Sequence, residues 1–183
     1  MSNLSRAVAA SCAVVLALAL RGASEPPDET SLGKPGANHA RLKPLAGSFE
    51  TEAKFMGVKM KGTITGTWRM GGRYLDLGGE LDMGAAGKDE LMATMGYANF
   101  EKHYFMIFYI GSTTNFIALE GQADADGKTI TLEGEEKMPD GSKAKSRVVL
   151  RLASEDEWTM EIWYPGEKGK LELLGEYKNK RTK

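Results

Sequence analysis

Length, composition and charge narrow the possibilities first. The chain has 183 residues, a length that favours a single domain. Its 24 basic side chains nearly balance 25 acidic ones, for a formal net charge of −1. Since there is no basic excess, we expect no nucleic-acid partner. The 22 glycines against 6 prolines favour a sheet protein with tight turns over a disordered chain.

The first 24 residues have the pattern of an export signal. Arg6 precedes the apolar run AVAASCAVVLALAL, and the small residues Gly22 and Ser24 suit cleavage after Ser24. The run is shorter than the about 20 residues of a membrane-spanning helix. We therefore predict a signal peptide at residues 1–24 and an extracytoplasmic protein, periplasmic or secreted. The membrane would be contacted only through this segment, if it stays uncleaved.

Metal and cofactor chemistry has little support in the sequence. The single cysteine, Cys12, lies in the predicted signal peptide, so the mature chain would have no disulfide, thiolate ligand or cysteine nucleophile. The two histidines, His39 and His103, are too few and too far apart in the sequence for a zinc site of three or four ligands. Neither is inside a predicted strand, where a haem ligand would be expected. We predict no metal and no cofactor.

Residues 25–37, EPPDETSLGKPGA, are polar and proline-rich, and we predict a flexible linker there. Asn38 can cap a short helix that buries Leu42 and Leu45, and Pro44 limits its length. Residues 38–183 are predicted to form one β-barrel domain.

From about residue 47 apolar and polar residues alternate with the period of two that is typical of half-buried strands. The predicted inward-facing residues, strand by strand, are Ile64, Gly66, Trp68 and Met70; Leu75, Leu77 and Leu81; Ile130, Leu132 and Gly134; Trp158, Met160, Ile162 and Tyr164; and Leu171, Leu173, Gly175 and Tyr177.

Turn dipeptides separate the predicted strands. They are Gly71-Gly72, Asp126-Gly127, Asp140-Gly141 and Pro165-Gly166. Without crossover helices, neighbouring strands pair antiparallel, and closing the sheet buries its dry face and removes its edges. The sequence thus predicts an all-β fold, a single antiparallel up-and-down β-barrel of about ten strands with a short N-terminal helix.

Several short segments follow one another in the order and spacing of a known family. They are HARLKPLAGSF from residue 39, GGRYL from 71, GYAN from 96, Glu120-Gly121, DGKT from 126 and the final GEYKNKR. Over about residues 39–181 the chain resembles the bacterial domain-of-unknown-function family 1579. The resemblance implies a calycin-like barrel, related in shape to lipocalins and fatty-acid-binding proteins. It implies no established activity.

The main candidate site is an aromatic lining of the barrel, which would bury an apolar ligand while hydroxyl groups or an arginine orient it. The candidate ligand-binding residues are Trp68, Arg73, Tyr97, His103, Phe116, Trp158, Tyr164 and Tyr177, with Met60, Met70, Met95 and Met160 beside them. We place His103 at the rim. A core filled by side chains and a usable cavity both remain open, since Gly66, Gly134 and Gly175 mark either free space or strand bends.

Catalytic groups are few. The chain has no Gly-x-Ser-x-Gly motif, and we interpret carboxylates such as Glu133, Glu135 and Glu136 as solvated. No catalytic residue is predicted.

The leading hypothesis is therefore non-enzymatic binding of a small apolar or amphipathic ligand. The alternative is an extracytoplasmic interaction or accessory domain with a filled core. Its contact surface would be the strand 104–110, which is apolar on both faces and would be exposed unless the N-terminal turns cover it. A homodimer is one possible form of this association. A third, less favoured hypothesis is a haem-dependent or other enzyme.

Overall fold

Ten β-strands joined by short turns make up most of the described chain. The computed structural model describes residues 32–111, 114–138, 140–166 and 169–182; the predicted signal peptide 1–24 and residues 25–31 of the predicted linker lie outside them. Gly33–Lys183 forms a compact unit. Its helical segments are α1 (Ala37–Ala40) and single 3₁₀ turns at Lys43–Leu45 and Gly84–Ala86. Its strands are β1 (Gly47–Phe55), β2 (Val58–Arg69), β3 (Tyr74–Asp82), β4 (Lys88–Ala98), β5 (His103–Ile110), β6 (Phe116–Ala123), β7 (Thr129–Lys137), β8 (Lys143–Leu152), β9 (Glu157–Pro165) and β10 (Leu171–Arg181).

Each strand pairs antiparallel with the next along the chain, and β1 also pairs with β10. This last pairing runs from Phe49 opposite Arg181 to Phe55 opposite Gly175, and it closes the sheet. A closed sheet leaves no strand edge to pair with another chain. The predicted antiparallel up-and-down barrel of about ten strands, with a short N-terminal helix, is confirmed.

Side-chain burial follows the predicted alternation on most strands. On β7, Ile130 and Leu132 are buried and Glu133 is exposed. On β9, Trp158 and Met160 are buried in the same way. Because successive side chains of a strand point to opposite faces, a period of two in the sequence separates core from solvent in a barrel wall.

Three residues predicted to face inward do not: Leu171, Leu173 and Met70. Leu171 lies opposite Pro165, on the same outward face of β10 as Leu173. A bulge between Leu173 and Gly175 shifts the register of β10 against β9. Leu173 is therefore 50% exposed, and Leu174 lines the interior in its place. Met70 follows the last residue of β2, takes a φ of 49°, and is 68% exposed. The strand pattern therefore ends one residue earlier than the alternation predicts.

Successive turns fall at opposite ends of the barrel. The turns after β2, β4, β6 and β8 lie at one end, together with residues 33–46, and we call it the closed end. The turns after β1, β3, β5, β7 and β9 surround the other end, which we call the open end. Depth inside the barrel can therefore be read from the position of a residue along its strand.

Residues 37–45, which we call the plug, fill the closed end. Leu42 and Leu45 are fully buried, as predicted. A Cβ atom at Gly66 of β2 would overlap the carbonyl oxygen of Leu45, so the plug can approach this closely only over a glycine. At the end of β10, Nη1 of Arg181 donates a hydrogen bond to the carbonyl oxygen of Ala46 over 2.9 Å.

The described part of the predicted linker contacts the same end. Nε of Arg73 donates to the carbonyl oxygen of Gly33 over 2.5 Å. Nδ2 of Asn99 donates to the carbonyl oxygen of Lys34 over 2.9 Å. Turns of the barrel thus hold residues 33 and 34.

Two further inward glycines admit neighbouring atoms. A Cβ atom at Gly134 of β7 would overlap the carbonyl oxygen of Ala118 on β6. A Cβ atom at Gly175 would lie 2.6 Å from Cδ2 of Phe55. Neighbouring atoms thus occupy the space that a side chain would take, so these glycines do not mark free space, which was one of the two predicted readings. The other reading, a bend in the strand, fits Gly175, which borders the bulge of β10.

The strand with two apolar faces, β5, is not covered by the plug on its outer face. Its inward residues Tyr104 and Met106 are buried, and its outward residues Phe105, Ile107 and Tyr109 are half-buried. The ring of Phe105 lies 3.0 Å from the Cβ position of Gly96 on β4. Neighbouring strands therefore supply the partial cover.

Candidate functional site

The interior of the barrel is filled at the closed end and hollow toward the open end. In the filled half, the rings of Phe49 and Trp158 meet edge to face with their centroids 5.7 Å apart. They pack in one cluster with Leu42 and Leu45 of the plug. Toward the open end a cavity of about 460 Å³ remains, which is within the range of small-molecule binding sites.

Every strand contributes to the lining of this cavity, and most of the lining is apolar. The apolar lining residues are Phe55, Met60, Leu81, Met83, Leu91, Phe108, Ile117, Leu119, Val148, Ile162 and Leu174. Such a lining favours the transfer of an apolar molecule out of water. Its aromatic rings and methionine side chains adapt to varied shapes.

Five polar side chains complete the lining. They are Asp89, Glu136, Ser146, Tyr164 and Tyr177. Asp89 and Glu136 lie near the open ends of β4 and β7, and both are half-buried. None of the described lining residues is a lysine, arginine or histidine. The formal charge of the lining is therefore negative.

Tyr164 and Glu136 form a hydrogen-bonded pair near the open end. The Tyr164 hydroxyl donates to Oε2 of Glu136 over 3.0 Å, and Sδ of Met138 lies 3.1 Å from the same hydroxyl. One hydroxyl carries one proton, and the carboxylate is the stronger acceptor. Burial, and then the Glu136 carboxylate, raise the pKa of Tyr164 to about 12. The phenol therefore stays neutral at physiological pH.

Tyr177 is more deeply buried, at 5% exposure, on β10. Burial raises the pKa of Tyr177 to about 12, and the charge of Asp89 acts in the same direction. Because β10 and β4 are not neighbours in the barrel, this interaction crosses the cavity. Both tyrosines of the lining are thus neutral phenols beside a carboxylate.

Ser146 carries an unsatisfied hydroxyl. Its side chain is 4% exposed, and its Oγ has no hydrogen-bond partner among the described residues. Leaving such a group unpaired costs about 1–3 kcal/mol. Nε1 of Trp158 is unpaired in the same sense, but it lies in the filled half. Ser146 differs because it borders free volume, where a polar atom of a bound molecule can reach it.

Of the eight candidate residues from the sequence, the structure places Tyr164 and Tyr177 on the cavity. Trp158 is buried in the filled half, against Phe49. Phe116 is 61% exposed at the open end. Of the methionines predicted beside them, Met60 lines the cavity.

The other four candidates lie at the closed end. Trp68 and Tyr97 are partly buried and pack against the core. The Tyr97 ring lies 6.0 Å from the His39 ring. Arg73 is a surface residue that donates to the carbonyl oxygens of residues 33 and 70. His103, predicted at the rim, lies there with its Nε2 3.8 Å from Oε2 of Glu120.

The sequence did not identify three polar residues of the lining: Asp89, Glu136 and Ser146. We interpreted Glu136 as solvated together with Glu133 and Glu135, but it has the parity of the buried Ile130 and Leu132. Extending the period of two to the end of β7 would have placed it inside. Ser146 has the parity of Val148 and Leu150 on β8.

Neither histidine lines the cavity. His39 is buried in the plug, where its Nδ1 accepts a hydrogen bond from the amide of Gly36 over 3.2 Å. Burial lowers the pKa of His39, and a hydrogen bond with the Tyr97 backbone partly opposes this. Within the described ranges, no group of three or more His, Cys, Asp or Glu residues is placed to hold a metal ion.

A family model for a protein of unknown function, DUF1579, matches residues 34–181. The chain belongs to the DUF1579 family. The match spans both the plug and the barrel, so the cavity lies entirely within the DUF1579 region. A comparison with curated proteins finds no match.

Solved structures relate the DUF1579 chain to other proteins by fold. Rv2717c from M. tuberculosis is 13% identical, with a TM-score of 0.57 over 82% of this chain and 100% of that one. It shares the fold. EF1p2_mFAP2b bound to DFHBI is 11% identical, with a TM-score of 0.46 over 80% of this chain and 100% of that one; this similarity is too low to establish a shared fold. Of the helices in the described part of the chain, none has the length and apolarity to span a bilayer.

Proposed function

We propose that this DUF1579 protein binds a small apolar or amphipathic molecule in the open half of its barrel. The observation that supports the proposal is the cavity of about 460 Å³ in the open half of the barrel, most of whose lining is apolar. The closed half of the same barrel is filled by side chains. Had the barrel served only as a scaffold, packing would be expected to fill both halves, because unfilled apolar volume costs stability.

The polar groups of the cavity support binding over catalysis. Among the described residues, no base lies within hydrogen-bond distance of the Ser146 hydroxyl to activate it as a nucleophile. Tyr164 and Tyr177, each with a pKa raised to about 12, do not exchange protons readily near neutral pH. Their arrangement suits them to orient a ligand by hydrogen bonds.

The test is a titration with N-phenyl-1-naphthylamine, a neutral dye that fluoresces in apolar surroundings. Saturable enhancement is expected with the native protein. Ile117→Trp, which places an indole ring in the cavity, should abolish it. The matched control is Ala118→Trp, since Ala118 is the next residue on β6 and faces solvent. No enhancement with the folded native protein, or equal enhancement with both variants, would reject the proposal.

We also propose that the protein acts outside the cytoplasm, because residues 1–24 carry the pattern of a signal peptide. The intact mass of protein recovered from its own cells measures this. We expect the mass of a chain that begins at Glu25, in protein from an extracytoplasmic fraction. A full-length cytoplasmic protein would refute the proposal.

Association through the open end is a second candidate function. Four exposed apolar side chains lie at that end: Met56, Val58, Phe116 and Leu173. A second copy of the chain would cover them, whereas the outer face of β5 is already half-buried. Sedimentation equilibrium should then show a dimer that Phe116→Ser weakens. A monomer at every concentration would contradict this candidate.

A further inference from the structure

The head group of the ligand can be inferred from the charges that line the cavity. Glu136 is the last inward residue of β7, near the open end, and its observed hydrogen bond comes from a neutral phenol. Asp89 contributes a second carboxylate from β4. These are the charged side chains of the described lining, and both are acidic.

Among the described residues, two lysines beside these strand ends face outward. Lys143 pairs with Glu135 on the outer face, with Nζ 2.9 Å from Oε2. Lys88 pairs with Glu80, with Nζ 2.6 Å from Oε1, and both side chains are at least half exposed. Since an outward lysine is already engaged by an outward acid, it offers little to an anion inside the barrel.

An anionic head group is therefore disfavoured in this cavity. A fatty-acid carboxylate would leave water for a site whose charges have the same sign as its own. An alcohol would avoid the repulsion and gain no charge interaction. An ammonium group would be attracted by Glu136 and Asp89, and this attraction is stronger at a partly desolvated site than in water.

The hydrogen-bonding groups also match an ammonium. An ammonium has donors and no acceptor. The proton of the Tyr164 hydroxyl is directed to Glu136, so the phenol oxygen is free to accept. Ser146 is buried, its hydroxyl has no hydrogen-bond partner in the part of the chain that the structure describes, and it offers a second oxygen.

Aromatic rings add a further attraction. Phe55, Phe108, Tyr164 and Tyr177 all line the same cavity as the two carboxylates. Cations bind favourably over aromatic faces, and most strongly where water is excluded.

We propose that the cavity selects a cationic amphiphile, an amine with an apolar body, over neutral and anionic molecules of the same length. This inference deepens the proposed function and rests on it. The observations that support the inference are the carboxylates of Asp89 and Glu136 and the Ser146 hydroxyl, which has no partner among the described residues, all beside an apolar lining.

The experiment compares decylamine, decanol and decanoate as competitors of N-phenyl-1-naphthylamine, each below its micelle concentration. Decylamine should displace the dye at about tenfold lower concentration than decanol, and decanoate should be the weakest, as expected for one charge interaction in partly desolvated surroundings. This series needs no variant, so it does not depend on the folding of one.

The variant Glu136→Gln then tests whether the Glu136 carboxylate is the source of the preference for decylamine over decanol. It keeps an oxygen that can accept from Tyr164 and removes the charge. We expect it to reduce the affinity for decylamine about tenfold, to that for decanol, and to leave decanol unchanged. Glu135→Gln is the control, since Glu135 is the preceding residue on β7 and faces outward beside Lys143; it should preserve the selectivity.

The outcomes separate the two proposals. If the dye and decanol bind while decylamine has no advantage, the head-group inference is wrong and ligand binding stands. Equal effects of Glu135→Gln and Glu136→Gln would also overturn it, since the preference would then come from surface charge. If neither the dye nor any competitor binds, ligand binding itself fails, and the inference with it.

Discussion

The closed and open halves of this barrel share the same ten strands and the same inward–outward alternation, yet one is solid and the other hollow. In the closed half, residues from outside the strands, Leu42 and Leu45, meet the large side chains Phe49 and Trp158. In the open half the described wall encloses a cavity, and two carboxylates are among its lining residues. The comparison shows that closing the sheet creates an interior. The plug and the size of the inward side chains then decide which part of that interior is filled.

The largest expected effect tests whether the two halves differ in packing. Leu75→Ala, in the filled half, should lower the free energy of unfolding by about 3–5 kcal/mol, since Leu75 is fully buried and leaves a new void. Leu91→Ala, on the cavity lining, should cost about 1–2 kcal/mol, because its side chain already borders free volume.

Urea unfolding measures both losses, with an unchanged m value as the check that only stability has changed. Equal losses for the two leucines would mean that the open half is packed as tightly as the closed half.

The next effect concerns the attachment of the plug. The Arg181 guanidinium donates to the carbonyl oxygens of Ala46 and Pro44, and it lies 4.8 Å from the centroid of the Phe49 ring. Arg181→Gln should cost about 2 kcal/mol, because part-buried carbonyls lose a charged donor.

Arg147→Gln is the matched control, since it removes an arginine from a surface pair with Glu133, whose side chains are 40% and 60% exposed, and it should cost less than about 1 kcal/mol. Should the two arginines prove equivalent in thermal unfolding, Arg181 would not be holding the plug.

A smaller effect is expected near neutral pH, and it comes from His39 in the plug. Burial lowers the pKa of His39 below its ordinary value of 6.5. The unfolded chain therefore binds this proton more readily than the folded one, and stability falls with decreasing pH. The contribution is complete above pH 6.5 and declines as the pH falls toward the lower folded-state pKa. Below that pKa it declines no further.

Melting temperatures measured between about pH 5 and about pH 7.5, a range that spans the ordinary histidine pKa, check this. His39→Gln should flatten the slope of melting temperature against pH. His103→Gln keeps His39 and should retain the slope. A slope unchanged in His39→Gln would show that the plug does not respond to pH through this residue.

The smallest effect is a gain. Ser146→Ala removes a buried hydroxyl that has no partner among the described residues, so the ligand-free protein should become more stable by up to about 1 kcal/mol. That corresponds to a rise in melting temperature of about 2–4 °C.

Ser48→Ala, at an exposed position on β1, should change stability by less than about 0.5 kcal/mol. A loss of stability in Ser146→Ala would indicate that the hydroxyl is satisfied in solution, and it would weaken the case for a polar ligand group there.

The sequence predicted the wall of the barrel better than its contents. The runs around Ile130 and Trp158 identified their inward faces, because alternation is a property of each strand alone. The same alternation wrongly predicted that Leu173 faces inward, because the bulge beside it depends on how β10 pairs with β9. The Met56-Gly57 turn, with both φ angles positive, was also missed because the sequence does not hold one of the favoured turn dipeptides there.

The candidate site was predicted in part. Tyr164 and Tyr177 were placed correctly in the interior by their parity, and both line the cavity. Trp158 was also placed inside, but its depth along β9 puts it in the filled half. Which inward residues share a cavity depends on register and on the plug, which join residues far apart in the chain.

By itself, the sequence determined a barrel of antiparallel strands, a short N-terminal helix, and membership of the family whose model matches residues 34–181. These follow from local alternation, turn chemistry and the order of short motifs. Only the tertiary structure decided that the plug fills one half, and that Asp89, Glu136 and Ser146 meet in the other. The physical reason is that alternation tells which side of the wall a residue faces, whereas strand register and the packing of the plug set its depth and its neighbours.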